Sequence, residues 1–71
     1  MKITVVRLVR PLGPEKLKQG QAMNARPPAV GDEGIVVDWC IDGCRVEFID
    51  RNGQPVWAGW LASGDVIVMD Q

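Results

Sequence analysis

Apolar and polar residues alternate along two neighbouring stretches of the chain. In "IVVDW", Ile35, Val37 and Trp39 share one phase and Val36 and Asp38 the other; in "RVEFI", Val46 and Phe48 alternate with Arg45, Glu47 and Ile49. A period of two is that of a half-buried strand, and the phase of the first stretch puts Ile35, Val37 and Trp39 in the wall of the core. "ITVVRLV", near the N-terminus, is rich in β-branched residues and keeps no helical period, so it reads as another strand. "PVWAGWL" adds a fourth, with Pro55 at its start, where a missing N–H does least harm. "VIVMD" is the last. The predicted strands are therefore 3–9, 34–40, 44–50, 55–61 and 65–70.

Turn chemistry separates them. Asp42-Gly43 and Asn52-Gly53 are tight-turn dipeptides, the second a strong hairpin signal because both residues tolerate positive φ. Five short strands spaced about ten residues apart predict an all-β, strongly bent antiparallel barrel in a single domain. Gly31, Gly34 and Gly59 are its expected turn or bend points. Segment 10–33 has another texture, with four of the five prolines and little periodicity. It reads as a long first loop containing one helical turn at Pro14–Lys18. Loops of this length are uncommon in compact domains unless functional or flexible, so this one is a candidate contact region.

The order of strand, long loop, "GDEGIVV", hairpin and "VEFID" resembles SH3-like barrels. It is similar in particular to a family of short bacterial proteins of uncharacterised function, through "LKQGQ" (Leu17–Gln21), "GDEGIVV" (Gly31–Val37), "VEFIDRNG" (Val46–Gly53) and Ala58. The resemblance implies a five-stranded SH3-like barrel and transfers no activity. The chain departs from the pattern in the inserted "AMNARPPAVGDE" and in the two tryptophans of "VWAGWL". "GDEGIVV" is also weakly similar to the opening of KOW-type modules, whose turn and strand contact RNA. Here Asp32 and Glu33 would repel phosphate, and no basic residue follows before Arg45.

Charge and composition narrow the function classes. Eight basic and nine acidic side chains leave a net charge of −1, which offers no bulk attraction to nucleic acid. A local basic strip remains conceivable from Lys2, Arg7, Arg10, Lys16, Lys18 and Arg26, and it defines the nucleic-acid-binding alternative. No stretch is long and apolar enough for a membrane span, and Arg7 and Arg10 interrupt the first apolar run, so a cytoplasmic location is expected. With no histidine and only Cys40 and Cys44, neither a metal site nor any cofactor is expected. Those cysteines flank the Asp42-Gly43 turn and read as structural thiols; a cross-hairpin disulfide would need an oxidising compartment. Hydrolytic chemistry at Ser63 or a cysteine lacks its commonest base, so no enzyme is expected.

The tryptophans are the most informative residues. Trp57 and Trp60 are three apart and point to opposite faces of a regular strand, so one of them is surplus to a single core. Tryptophan and arginine are enriched where binding energy concentrates. An interaction surface is therefore expected from Trp57, Trp60, Met23, Arg26, Pro27 and Pro28, the last three within "ARPPAV", a stiff loop or a polyproline-type ligand segment. The expected function is a protein-interaction module that forms homo-oligomers or docks another protein. A small-molecule-binding barrel is the further alternative and requires an apolar pocket.

Overall fold

The computed structural model describes residues 3–22 and 27–69. Among these the architecture is all-β with one short helix. In chain order the elements are β1 (Val5–Leu8), α1 (Pro14–Gln19), β2 (Gln21–Ala22), β3 (Glu33–Cys40), β4 (Gly43–Ile49), β5 (Pro55–Ala62) and β6 (Val66–Val68). All pairings are antiparallel, in the order β2-β5-β4-β3-β1-β6. The expected five-stranded closed barrel is thus an open sheet of six strands. The additional strand, β2, lies in the segment read as loop: Gln21 and Ala22 pair with Ala58 and Trp57. Two residues are too few to carry a period-two pattern. Among the described residues no helix is long and apolar enough to cross a membrane.

The sheet curls around a single core without closing. Val6 and Leu8 of β1, Cys44, Val46 and Phe48 of β4, Val56, Trp57 and Leu61 of β5, and Val66 of β6 form one buried cluster. β4 follows its expected alternation, with Val46 and Phe48 inside.

β3 and β5 do not keep a simple period, because each carries a register shift. In β3 the pairing passes from Val36↔Val46 to Asp38↔Arg45 with Val37 left over as a bulge. An extra residue exchanges inward and outward phases beyond it. Val36 therefore sits opposite core Val46, while Trp39 sits opposite core Cys44. The expected inward trio is corrected: Ile35 pairs with Glu47 on the outer face, Val37 is the exposed bulge, and Trp39, although on the inward phase, is exposed. In β5 the shift falls between Phe48↔Trp57 and Ile49↔Pro55, leaving Val56 unpaired. Consecutive Val56 and Trp57 can then both be buried.

Trp57 is the largest fully buried side chain and fastens the proline-rich segment to the sheet. Its Nε1–H donates to the carbonyl of Leu17 in α1 at 3.2 Å, and its ring lies 6.2 Å from Phe48 in a tilted contact. Gly20 and Gly59 lie against the indole, where a Cβ on either would enter the ring's space. Pro14 opens α1 without needing an N–H, and Leu17 N–H donates to Gly13 O at 3.0 Å. Leu12 and Leu17 pack on the core from outside the sheet.

The two hairpins are closed by different means. β3 and β4 pair through Cys40↔Gly43, so the turn centres on Ile41-Asp42 and not on Asp42-Gly43. The β4–β5 connection is a loop around Asn52-Gly53 in which only Gly53 takes positive φ, at 81°. Gly53 N–H donates to Asp50 O at 2.9 Å, and the Asp50 carboxylate accepts from the N–H groups of Asn52 and Gln54. Asp32 works in the same way before β3, accepting from Ala29 N–H at 2.8 Å.

Replacing Gly20 or Gly59 by Ala should cost about 1–3 kcal/mol by forcing the indole from its slot. Trp57→Phe should cost about 2–3 kcal/mol, for the lost hydrogen bond and the space left behind. Urea unfolding measures both. Unchanged stability in all three variants would show that the indole is not clamped.

Candidate functional site

Around the β3–β4 hairpin the chain leaves large apolar residues in solvent. Trp39 is 60% exposed, Ile41 at the turn is 101% exposed and Val68 on β6 is 61% exposed. They border a groove of about 330 Å³ whose floor includes core residues Val6, Cys44 and Val66, and whose rim carries Cys40 and Ser63. The groove exists because β3, with β4 beside it, projects beyond the residues that pair with β1. β1 meets β3 at Glu33, Gly34 and Ile35, whereas β3 continues to Cys40. The inner face of that projection has no described strand over it.

A shallower hollow of about 180 Å³ lies on the other flank of the hairpin, between Lys16, Cys40, Asp42, Trp60, Leu61 and Ala62. Trp60 sits opposite Arg45 on the outer face and is 47% exposed. Cys40 borders both hollows. One end of the molecule therefore presents a tryptophan on either side of a single hairpin.

The expected contact residues are redistributed. Trp57 and Trp60 do face opposite ways, but Trp57 belongs to the core and cannot touch a partner. Pro28 is buried, which removes the polyproline-ligand reading of "ARPPAV", while Pro27 is exposed. Met23 and Arg26 lie outside the described residues, as does Lys2. Trp39, Ile41 and Val68 were not foreseen. Ile41 carried a usable signal, since an isoleucine at a hairpin turn has no core to enter; Trp39 carried none, because its exposure follows from where β1 stops accompanying β3.

Among the described residues the basic strip is interrupted by acids. Arg7 pairs with Glu33 at 3.0 Å, and Arg10 Nε donates to Asp65 at 2.7 Å. Lys16 and Lys18 remain on α1, and Lys16 lies near enough to Asp65 to act on it electrostatically. Asp65 is buried, and Ala62 N–H donates to its second oxygen at 2.9 Å. Burial pushes this carboxyl up, but the hydrogen bonds from Arg10 and Ala62, with the charges of Arg10 and Lys16, prevail and hold it below the usual carboxylate value. The result is a fixed β5–β6 turn, with Arg10 lying along Gly64.

Cys40 and Cys44 are both free thiols, one exposed and one buried. Cys44 faces inward opposite Trp39, whereas Cys40 pairs with Gly43 on the outer face. Burial first, and the nearness of Cys40 second, push the Cys44 thiol up, which keeps it protonated and unreactive. Among the described residues, no group of three or more potential metal ligands comes together. No protein-family model, curated protein or solved structure matches the chain.

Asp65 supplies a pH test of this turn. Its folded pKa lies below its unfolded one, so its contribution is complete above about pH 4 and is lost as pH falls through the folded value. Asp65→Asn should therefore cost about 1–2 kcal/mol at neutral pH, allowing for the solvent around Arg10, and progressively less as the pH falls below about 4. Urea midpoints across pH measure this. A gap from wild type that stays constant with pH would mean that the carboxylate charge plays no part.

Proposed function

We propose that the chain is a non-enzymatic protein-interaction module that contacts its partner through the end of the sheet around the β3–β4 hairpin. The observation that carries this reading is the grouping of Trp39, Ile41 and Val68 around one groove, beside a well-filled core. Scattered exposed apolar residues need no explanation, but a contiguous set around a concavity marks a contact site. Trp60 and Cys40 extend the surface around the hairpin, and Lys16 and Asp42 give it a polar border. Such a mixture, aromatic at the centre and charged at the edge, is how protein interfaces are composed.

The chemistry available supports binding over catalysis. Ser63 reaches the groove without a histidine anywhere in the chain to activate it, and the Cys44 thiol is held protonated. A cytoplasmic setting suits an exposed Cys40 thiol. A second reading, a small apolar ligand in the same groove, is favoured by its volume of about 330 Å³, at the lower end of what ligand sites occupy. The nucleic-acid alternative is weakened by the acids already paired with Arg7 and Arg10.

A photo-reactive residue at position 41, compared with one at position 52 on the opposite loop, tests the proposal in extracts of the source cell. Protein adducts should form from position 41, at least fivefold above position 52, and should fall when Trp39→Ala is added. Equal labelling from both positions, or adducts with RNA alone, would overturn it.

A further inference from the structure

We infer that the partner seated on this groove is a second copy of the same chain, each copy inserting Ile41 into the groove of the other. The inference rests on the interaction reading above and names its occupant. Three features of the hairpin support it.

The first is how the hairpin can be engaged. A projecting strand invites a second strand at its edge, but β3 is blunted there: Val37 bulges, and the Asp38 carboxylate accepts the Trp39 N–H at 2.8 Å. Bulges and charged edge residues are the devices that prevent strand addition. Engagement therefore falls to side chains entering the groove. A projecting knob is at hand, since Ile41 stands wholly in solvent at the turn and borders the groove at the same time.

The second is self-complementarity. An isologous pair requires that one patch contain both a projection and the hollow it fits. Ile41 and the hollow floored by Val6, Cys44 and Val66 meet this condition, and the hollow is large enough for an isoleucine side chain with Val68 and Trp39 closing over it. The charges agree as well. Asp42 follows Ile41 on the projecting turn, and Lys16 borders the same hairpin beside it, so each patch carries one acid and one amine. Two facing copies can therefore set the acid of one against the amine of the other. A net charge of −1 leaves little general repulsion between copies.

The third is area. Covering Trp39, Ile41 and Val68 removes on the order of 300 Å² of apolar surface per copy. A stable pair buries about 800 Å² per partner, roughly a sixth of the 4906 Å² that the chain exposes. The apolar centre supplies less than half of that, so the polar border must be covered along with it, and the pair is a weak one.

Sedimentation equilibrium of the whole chain from micromolar to near-millimolar concentration tests the inference. Wild type should pass from monomer to dimer and no further. Ile41→Lys should weaken the dimer at least tenfold with an unchanged circular dichroism spectrum and melting curve, because Ile41 packs against nothing in the monomer. Asn52→Ala, on the opposite β4–β5 loop, should dimerise like wild type. A wild-type monomer throughout, or an Ile41→Lys variant that dimerises normally, would overturn the second-copy assignment. If position 41 still labels other proteins in that event, the interaction reading stands alone; if it labels none, both fall.

Discussion

The burial of Trp57 is the constraint on which the rest of the molecule depends. Seventy-one residues supply a stability of only about 4–10 kcal/mol, and one indole accounts for a large share of the core. Burying it requires a hydrogen-bond partner for Nε1, which Leu17 O provides, and two residues without side chains, Gly20 and Gly59, to make room. These requirements recruit the proline-rich segment. α1 and β2 are held where they are because they complete the tryptophan's surroundings, and β2 becomes a sixth strand as a consequence. Size sets the priority: no other buried side chain is as large.

Two extra residues in the ladders determine which surface the molecule shows. The shift at Val56 turns Trp57 inward beside Val56 and leaves Trp60 on the outer face. The shift at Val37 turns Trp39 toward the core side, but at a place where β1 no longer accompanies β3. The indole therefore stands at the mouth of the core instead of inside it. Both exposed tryptophans descend from local pairing geometry, and they end up on either side of one hairpin because β3, β4 and β5 are consecutive neighbours in the sheet.

Much of the fold was legible in the sequence. β4 was unambiguous since Val46 and Phe48 alternate with charged residues, and the helical turn at Pro14 followed from proline's fitness for a first helical position. The opposite facing of Trp57 and Trp60 also followed from their spacing. The inward set of β3 was not legible, because "IVVDW" alternates cleanly and nothing in its residue types marks Val37 as the extra one. β2 was invisible for its length. The site was legible only in part. A surplus tryptophan pointed to a contact surface, and Trp60 is exposed, but Trp39, Ile41 and Val68 are brought together by the bend of the sheet, which no short-range pattern encodes. Asp32, Asp50 and Asp65, by contrast, do what acids near turns ordinarily do, tying down local backbone.

The different fates of the three tryptophans are the point at which fold and site can be examined together. Hydrogen exchange at the three indole N–H groups, followed by NMR on a dilute sample labelled at tryptophan, reads them directly. The account predicts one strongly protected indole, assigned to Trp57 by its loss in Trp57→Phe, and two that exchange at close to the rate of free tryptophan. Protection of Trp39 comparable to that of Trp57 would place it in the core, as its simple alternation suggests, and would contradict the contact surface on which the account rests.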